Sequence, residues 1–331
     1  MLHKKRLILL VSFLCCMKMF SQEGLPVYFD YLSDNYYLIH PSMAGAGTGG
    51  KIRLTARKQW FDVEKAPNLQ TLNAHVRLGD KSGVGAIVFN DENGYHSQTG
   101  VKLTYAHHLR FSRNVIDLDQ LSFGISVGMI QSRLDETEFN SIIPDPIISG
   151  GDLNTSYFNM DLGVSYHLFE FYTHFTVKNL LGSGRDLYTV EEFDNLRRYL
   201  FSVGYVFGKT DWQFEPSVMF QYAEFTEEAA IDLNAKVYKD MEFGRLWGGL
   251  SFRRSFDGAK YNIEGQEASQ KLQLLTPILG VNYKNFMFSY NYSYQFGDIR
   301  FDNGGYHQIT LGYDFLQGKK PYDCNCPAVN Y

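Results

Sequence analysis

The sequence predicts an all-β protein, a transmembrane antiparallel β-barrel of about 14 strands. Two observations carry this prediction. In the stretch Phe286–Phe296 every second residue, from the first to the last, is aromatic, and the residues between them are Met, Ser, Asn, Ser and Gln. Because successive strand side chains point to opposite faces, one face of this strand is aromatic and the other mostly polar. The same two-residue period recurs along most of the chain, which is typical of a barrel with lipid outside and polar groups inside.

Composition favours strands over membrane-spanning helices. The 331 residues include 26 Phe, 23 Tyr and 30 Gly but only 9 Pro, and the mean hydropathy is -0.25. No internal run approaches the ~20 apolar residues that a spanning helix needs. Alternating strands average lipid-facing and lumen-facing residues together, so their mean hydropathy stays low. A single barrel domain over residues 51–315 is therefore predicted.

The N-terminus has the pattern of a targeting segment. Three basic residues at positions 4–6 precede an apolar stretch over residues 7–20. This order predicts a secretory signal peptide over residues 1–22. The alternatives are an uncleaved anchor, which Lys18 interrupts, and a lipoprotein signal that uses Cys15-Cys16.

The chain without this signal is acidic and poor in cysteine. Removing residues 1–22 takes away four basic residues and no acidic one, so the net charge moves from -5 to -9. No basic patch remains to suggest a nucleic acid partner. Only Cys324 and Cys326 survive of the four cysteines, which excludes a disulfide framework.

Alternation begins at Lys51, where Ile52 and Leu54 alternate with Arg53 and Thr55, and it continues in segment after segment. A helical period of 3.6 residues does not fit these windows. The predicted strands lie near residues 51–60, 71–78, 84–90, 98–110, 121–133, 156–167, 169–177, 198–207, 212–223, 230–238, 246–254, 271–283, 285–296 and 307–315.

The spacers between these strands alternate in length. After even-numbered strands they are mostly tight, as at Gly79–Ser82 and Gly208–Asp211. Several after odd-numbered strands are predicted as long loops, at 134–155, 179–197, 255–270 and 297–306. Short periplasmic turns opposite long outer loops are typical of outer-membrane barrels, and they predict that both termini are periplasmic. The spacers at 112–120 and 239–245 are less tight, so the register there stays open.

The alternative is a soluble sandwich or lipocalin-like barrel, whose outer face would carry Lys and Glu. Here the face opposite the apolar one carries mainly Ser, Gly, Asn, Gln and Thr. Aromatic residues also collect near predicted strand ends, as in membrane-interface girdles. They are Trp60, Phe61, Tyr166, Phe207, Trp212, Phe296 and Phe315. We therefore expect outer-membrane lipid around the barrel.

Two segments lie outside the predicted strands. Residues 23–50 are too aromatic for a disordered leader, and we expect them to plug the lumen or to pack at the periplasmic rim. Residues 316–331 are predicted to form a periplasmic tail. A structural or partner-docking role is predicted for this tail, with Tyr322, Cys324, Cys326 and Pro327 as its candidate docking residues.

Three patterns associated with catalysis or metal binding are interpreted as structural. Gly124–Gly128 matches G-x-S-x-G, but Ser126 lies within a predicted strand and not on the sharp turn that this motif needs. Cys324 and Cys326 supply two thiolates, whereas structural zinc takes four ligands. The acidic residues Asp135, Glu136, Glu138, Asp145 and Asp152 match no calcium-binding spacing. We expect no catalytic residue, metal or cofactor.

A set of short motifs is fairly specific in its order and spacing. It consists of Tyr37–Gly45 (with His40, Pro41, Ala44 and Gly45), Arg57 to Trp60 (with Gln59), Ala66-Pro67, Gly83–Gly85, Asn90 to Gly94 (with Asp91), Trp247–Arg253 and the closing strand from His307. Through this set the chain, over about residues 23–315, resembles the PorP/SprF outer-membrane proteins of the type IX secretion system in Bacteroidetes. His40 departs from the pattern, because the family usually has Asn before the proline.

The resemblance implies a non-enzymatic role. Proteins of this family are expected to be accessory barrels that support the secretion or surface attachment of partner cargo such as gliding adhesins, and to engage other components of the secretion machine. Two alternatives stay open. One is a porin or FadL-like transporter, because the predicted lumen-facing residues are mostly small and uncharged. The other is a barrel hydrolase centred on Ser126.

Overall fold

Fourteen antiparallel strands form a closed barrel in the computed structural model of the protein. The structure describes residues 35–47, 49–59, 65–112, 117–137, 150–182, 197–208, 211–263, 266–296, 305–316 and 329. The strands are β1 (Gly50–Gln59), β2 (Asn68–Leu78), β3 (Ser82–Asn93), β4 (His96–Arg110), β5 (Asp119–Asp135), β6 (Asp152–Leu168), β7 (Phe171–Lys178), β8 (Arg198–Tyr205), β9 (Trp212–Ala223), β10 (Ala229–Met241), β11 (Gly244–Ile263), β12 (Gln266–Tyr283), β13 (Phe286–Phe296) and β14 (Tyr306–Phe315).

Each strand pairs with its neighbours in sequence, and β1 closes the barrel against β14. Leu54 on β1, for example, lies opposite Leu72 on β2 and Leu311 on β14. Closure leaves the sheet without an edge, so backbone N–H and C=O groups find their partners within the sheet, as lipid requires. The predicted fold class and the number of strands are confirmed.

The two faces of the sheet follow the sequence pattern. On β13, Phe286, Phe288 and Tyr294 are exposed, whereas Ser289, Asn291 and Ser293 are buried. Elsewhere Leu103 and Leu279 leave 60% and 69% of their surface exposed. A water-soluble barrel would bury such residues, so the outer face is suited to lipid. No helix in the described part of the chain is both long enough and apolar enough to cross a membrane.

Several strands are joined by tight turns at the barrel end where β1 begins, and Gly94-Tyr95 forms a further two-residue turn at the opposite end. Two-residue turns follow β6 (Phe169-Glu170), β10 (Glu242-Phe243) and β12 (Lys284-Asn285). Gly79, in the turn after β2, has φ +64°, a left-handed conformation that glycine adopts without steric cost. The sequence left the strand register at 239–245 undecided. In the structure β10 and β11 form a simple hairpin there, with Met241 opposite Gly244.

One predicted loop is wrong. Residues 255–270 were expected to form a long loop, but β11 continues to Ile263 and β12 starts at Gln266. The pairing shifts register between Arg254 and Gly258. A bulge of this kind interrupts the two-residue period locally while the hairpin continues, so the sequence pattern ended earlier than the strands did.

The interior of the barrel is filled by polar side chains and by one chain segment. Residues 35–47 carry a short helix α1 (Tyr36–Ile39) and a 3₁₀ turn (Pro41–Met43), and every residue of this segment is buried. We call Asn35–Gly47 the luminal segment, because its side chains and backbone contact inward-facing residues of the strands.

Candidate functional site

The candidate site is the luminal segment together with the strand residues that hold it. Pro41 fits the first position of the 3₁₀ turn because its ring fixes φ near the helical value and it lacks an N–H that would need a partner. Gly45, at φ +64°, ends the compact part of the segment. His40, between the two helical pieces, has an extended backbone. The segment therefore has a first arm, which contains Tyr36–Ile39, and a second arm, which contains Pro41–Met43 and continues to Gly47, and the two arms contact different strands.

A buried carboxylate holds the first arm. Glu215 on β9 is 1% exposed, and its Oε1 accepts a hydrogen bond of 2.6 Å from the Tyr36 hydroxyl. The Tyr172 hydroxyl also donates to Oε1, and the Tyr238 hydroxyl donates to Oε2 at 2.6 Å. Lys236 Nζ lies 3.5 Å from Oε2. Several donors and a cation thus compensate the desolvation of this charge.

Lys236 also lies among aromatic rings. Its Nζ is 5.8 Å from the ring centroid of Tyr36, 5.2 Å from that of Tyr238 and 5.7 Å from that of Trp247. These distances are within the range of cation–π attraction. Tyr36 therefore contacts both members of the Glu215–Lys236 pair, through its hydroxyl and through its ring.

Histidine and hydroxyl groups surround the middle of the segment. His40 Nδ1 lies 2.9 Å from Thr176 Oγ1, and its Nε2 lies 3.3 Å from Ser202 Oγ. The ring stacks on His174 with centroids 4.6 Å apart. Burial, reinforced by the charge of Lys178, lowers the pKa of His40 to about 3, so the ring is neutral at pH 7.

The second arm is held mainly through its backbone. The carbonyl of Ala44 lies 3.0 Å from His108 Nε2, and the N–H of Gly45 donates to His75 Nδ1 at 3.0 Å. Arg77 donates to the carbonyls of Gly45 (3.1 Å) and Ala46 (3.2 Å). Backbone groups of a buried irregular segment need partners, and strands β2 and β4 provide them here.

Two strand glycines let the segment lie close to the wall. A Cβ on Gly83 would be 2.0 Å from the carbonyl oxygen of Ala44, and a Cβ on Gly124 would be 2.2 Å from the Ser42 nitrogen. Both contacts are with backbone, which has little room to move. Gly124 opens the G-x-S-x-G match, so this glycine provides space for the luminal segment.

Ser126 itself lies in regular sheet. It pairs with Thr104 on β4 and Asp161 on β6, and its hydroxyl is 2.6 Å from Thr104 Oγ1. Thr104 in turn accepts a hydrogen bond of 2.8 Å from Tyr37, whose pKa is raised by burial. A nucleophile elbow needs a sharp strand-to-helix turn, and this backbone does not have one.

The lumen is more charged than its small residues suggested. Arg53 pairs with Asp314 at 2.6 Å, and Lys102 pairs with Asp161 at 2.6 Å. Arg253 makes two hydrogen bonds to Asp232, of 2.5 and 2.6 Å. All six side chains are nearly buried. Most buried polar residues in the described part of the barrel are still uncharged, as expected. The scattered inward charges meet partners on the adjacent strand or, for Lys102 and Asp161, across β5.

The predicted motif residues fall into two groups. His40, Pro41, Ala44 and Gly45 belong to the luminal segment. Arg57, Gln59, Asn90, Asp91 and Gly94 lie toward the end of the barrel opposite to that where β1 begins, near the β1–β2 and β3–β4 connections, whereas Gly83–Gly85 follow the turn after β2.

In that second group, the Arg57 guanidinium lies 4.5 Å from the Tyr306 ring centroid, and the Gln59 N–H donates to the Pro67 carbonyl at 3.0 Å. Asn90 accepts a hydrogen bond from Thr99 at 2.8 Å, and Asp91 lies opposite Gln98 on β4. The Gly94 N–H donates to the Lys65 carbonyl at 3.1 Å. The bond from Gly94 to Lys65 therefore joins the β3–β4 turn to the segment between β1 and β2.

Other predicted residues are outside the described part of the chain. They are Trp60 and the tail residues Tyr322, Cys324, Cys326 and Pro327. In the tail, Val329 is described and is 2% exposed. A Cβ on Gly47 would lie 2.8 Å from its carbonyl oxygen, so this part of the tail packs against the luminal segment.

The predicted acidic loop is described at its ends. Asp152 pairs with Arg133 at 2.7 Å, and Asp135 accepts hydrogen bonds from Thr137. Within the described ranges, three or more His, Cys, Asp or Glu side chains do not come together in a group that could hold a metal ion.

Sequence reasoning did not single out Glu215, Tyr172 or Lys236. A signal for Glu215 exists, because it is an acidic residue at an inward position between the outward Phe214 and Pro216. Its partners lie on β7, on β10 and in the luminal segment, and only the closed fold of the barrel brings them together.

Comparison with solved structures finds other barrels of related shape. A TodX monoaromatic hydrocarbon channel carrying the deltaS2S3 mutation matches with a TM-score of 0.52 at 9% identity, over 85% of this chain and 94% of that chain. The CymD monoaromatic hydrocarbon channel matches with a TM-score of 0.50 at 9% identity, over 88% and 94%. The Pseudomonas putida toluene transporter TodX matches with 0.47 at 11% identity, over 90% and 99%. At these identities the first two matches show a likeness of fold alone.

Comparison of the sequence with known proteins finds a matching family but no matching individual curated protein. No curated protein matches the chain. The family described as type IX secretion system membrane protein PorP/SprF matches over residues 20–313.

Proposed function

We propose, because this chain belongs to the PorP/SprF family of type IX secretion system membrane proteins, that it is a non-enzymatic scaffold of that system in the outer membrane. In this role it supports the secretion or surface attachment of a partner cargo, such as a gliding-type adhesin. The barrel anchors the protein in lipid, and its exposed ends bind other components of the machine. The single observation that carries the proposal is the family match over nearly the whole chain.

The luminal segment supports a scaffold over a transporter. Its residues are all buried, and both of its arms are bound to the wall through several strands. A segment bound in this way occupies part of the lumen, which favours a scaffold over an open channel. The alternative, a porin or FadL-like transporter of small molecules, draws on the shared fold with hydrocarbon channels, and fold alone does not assign a ligand.

The tail supports a role in binding partners at the end of the barrel that carries the tight turns. We propose that this end is periplasmic, that both termini lie there after removal of a signal peptide over residues 1–22, and that residues 316–331 dock a partner. Val329 packs near Gly47, the last residue of the luminal segment. A partner that binds the tail at Val329 would therefore lie close to this end of the luminal segment.

Affinity purification in gentle detergent tests the scaffold. The tagged protein should recover other type IX secretion components and a secreted cargo protein, identified by mass spectrometry. An unrelated outer-membrane barrel carrying the same tag is the control. Recovery of lipid and tag-binding contaminants alone, together with steady open conductance in planar bilayers, would favour the transporter.

Truncation tests the tail. A chain that ends at residue 316 should keep the heat-modifiable gel migration of a folded barrel while secretion of the cognate cargo is lost. Cys324→Ser with Cys326→Ser in the full chain separates the two thiols from the rest of the tail. Normal secretion after truncation would contradict the docking role and leave the scaffold assignment to the purification experiment.

A further inference from the structure

The wall of the barrel has a gap in its hydrogen bonding between β8 and β9. Their pairing ends at Gly204 and Ser217, and beyond it Phe207 and Phe214 form only an isolated bridge. Pro216 lies in this gap and has no N–H to donate to a neighbouring strand. The Phe207–Phe214 bridge keeps the same register and makes both of its hydrogen bonds (2.9 and 2.8 Å), so the ladder is interrupted only around Pro216. The N–H of Val206 points to the other neighbouring strand and donates to the carbonyl of Glu170, next to β7 (3.0 Å).

A slot of about 430 Å³ lies over this gap. Its lining includes the short side chains of Val203, Pro216 and Val218, with the larger Phe171, Tyr205 and Leu233 around them. Val203 lies opposite Val218, and Val218 lies opposite Leu233, so the slot crosses from β7 to β10 on the outer face of the sheet. Short residues among projecting rings produce this depression.

The polar groups at the inner edge of the slot are turned to each other. The amide of Asn234 donates to Ser217 Oγ at 3.3 Å. Gly204 leaves its position free of a side chain because the Tyr172 ring occupies the luminal side, 2.3 Å from where a Cβ would lie. The surface offered outwards is therefore mainly apolar.

The slot is continuous with the lipid-facing surface. Phe201 and Phe220, which pair across β8 and β9, are exposed on one side of it, and the stacked rings of Phe207 and Phe214 lie on the other. The molecules that meet this surface in a membrane are lipids.

We propose that the slot is a binding site for one acyl chain of a membrane phospholipid. The chain lies across β7 to β10 and covers the position of Pro216, where the β8–β9 ladder lacks one N–H donor. Bound there, lipid would exclude water from the one interrupted position of this ladder, where an exposed backbone group is costly. This site is independent of the luminal segment and of any cargo.

Native mass spectrometry of the full chain in mild detergent tests this site. The delipidated protein is incubated with dioleoylphosphatidylethanolamine, and the fraction that retains one lipid is measured. Val218→Phe fills the slot and should reduce retention of the lipid at least about tenfold. Loss of the contact with only two CH₂ groups of the acyl chain already corresponds to a factor of this size. Val203→Phe should act in the same way from the neighbouring strand.

Val101→Phe is the matched control, because Val101 faces lipid on β4, far from the slot. It should retain lipid like the wild type, and all variants should show the heat-modifiable migration of a folded barrel. Equal retention by the Val218 and Val101 variants would overturn the site. Retention of oleate with no retention of the phospholipid, measured in parallel, would overturn the phospholipid assignment.

Discussion

Glu215 is the residue on which the seating of the luminal segment most depends. A buried carboxylate without partners would carry a large desolvation cost, whereas here three phenol hydroxyls and Lys236 surround it. Of these partners, Tyr36 alone belongs to the luminal segment. Hydrogen bonds to charged groups contribute about 1.5–3 kcal/mol each, roughly twice the neutral value.

Tyr36→Phe should therefore loosen the luminal segment. Losing one hydrogen bond to Glu215 should make opening of the segment easier by about 1.5 kcal/mol, which corresponds to about tenfold faster exchange of its backbone amides. Hydrogen–deuterium exchange of peptides from residues 35–47 measures this. Tyr313→Phe, on an outward tyrosine of β14, should leave exchange unchanged. Unaltered exchange in the Tyr36 variant would contradict the assigned role of Glu215.

His40 makes the seating dependent on pH. The ring stacks on His174, and burial, followed by the charges of Lys178 and His167, lowers the pKa of His40 to about 3. In a released segment the pKa of His40 would be near 6.5. Between about pH 6.5 and pH 3 the released segment therefore binds a proton that the seated segment does not bind. The seated state is thus fully stable above pH 6.5 and loses stability as pH falls from there toward 3.

His40→Asn should reduce this dependence, because Asn forms hydrogen bonds but does not titrate. Between pH 7.5 and 5, opening of the wild-type segment should rise about 30-fold more than opening of the variant, from the separation of the two pKa values. Amide exchange corrected for its intrinsic pH dependence provides the measurement. The same rise in both proteins would assign the effect to other groups of the lumen.

At the scale of elements, paired charges tie neighbouring strands together inside the lumen. Arg253 on β11 and Asp232 on β10 are buried and doubly hydrogen-bonded. Arg133 on β5 and Asp152 on β6 form a pair of similar length, but their side chains are 52% and 41% exposed. Removing one partner of a buried pair costs about 3–5 kcal/mol, whereas an exposed pair contributes about 0–1 kcal/mol.

Asp232→Ala should accordingly lower the free energy of unfolding by about 3–5 kcal/mol, because it leaves the Arg253 guanidinium buried without its partner. Asp152→Ala should lower it by less than about 1 kcal/mol. Denaturant titration in phospholipid vesicles, followed by gel migration, compares the two. Equal losses would mean that the lumen is hydrated enough to screen the Arg253–Asp232 pair.

The sequence was sufficient to predict the strands, and it was insufficient to predict the contacts that hold the luminal segment. The aromatic and polar alternation of β13 predicts both its faces, since period two is a local property. The ends of β11 and β12 escaped prediction because a bulge interrupts that period. The seat of Tyr36 escaped it for another reason: Glu215 is 179 residues away, and only the register of β9 in a closed sheet brings the two together.

At the scale of the whole molecule, the barrel and the luminal segment are built to fit each other. Gly83 and Gly124 remove the side chains that would otherwise collide with the segment, and Arg77, His75 and His108 bind its backbone. Family membership and the closed sheet define a secretion-system membrane protein, and the filled lumen makes conductance its most direct physical test.

Gly124→Ala should open the lumen while the barrel stays folded. Its Cβ would lie 2.2 Å from the Ser42 nitrogen, so the segment must move away from β5. Gly163→Ala is the matched control on β6, directly opposite, where the nearest atom would be Pro41 Cδ at 3.0 Å. In planar bilayers the wild type and the Gly163 variant should stay closed, and the Gly124 variant should show transient openings. A chain lacking residues 35–47 should give the fully open level, and wild-type conductance equal to that level would favour the transporter alternative.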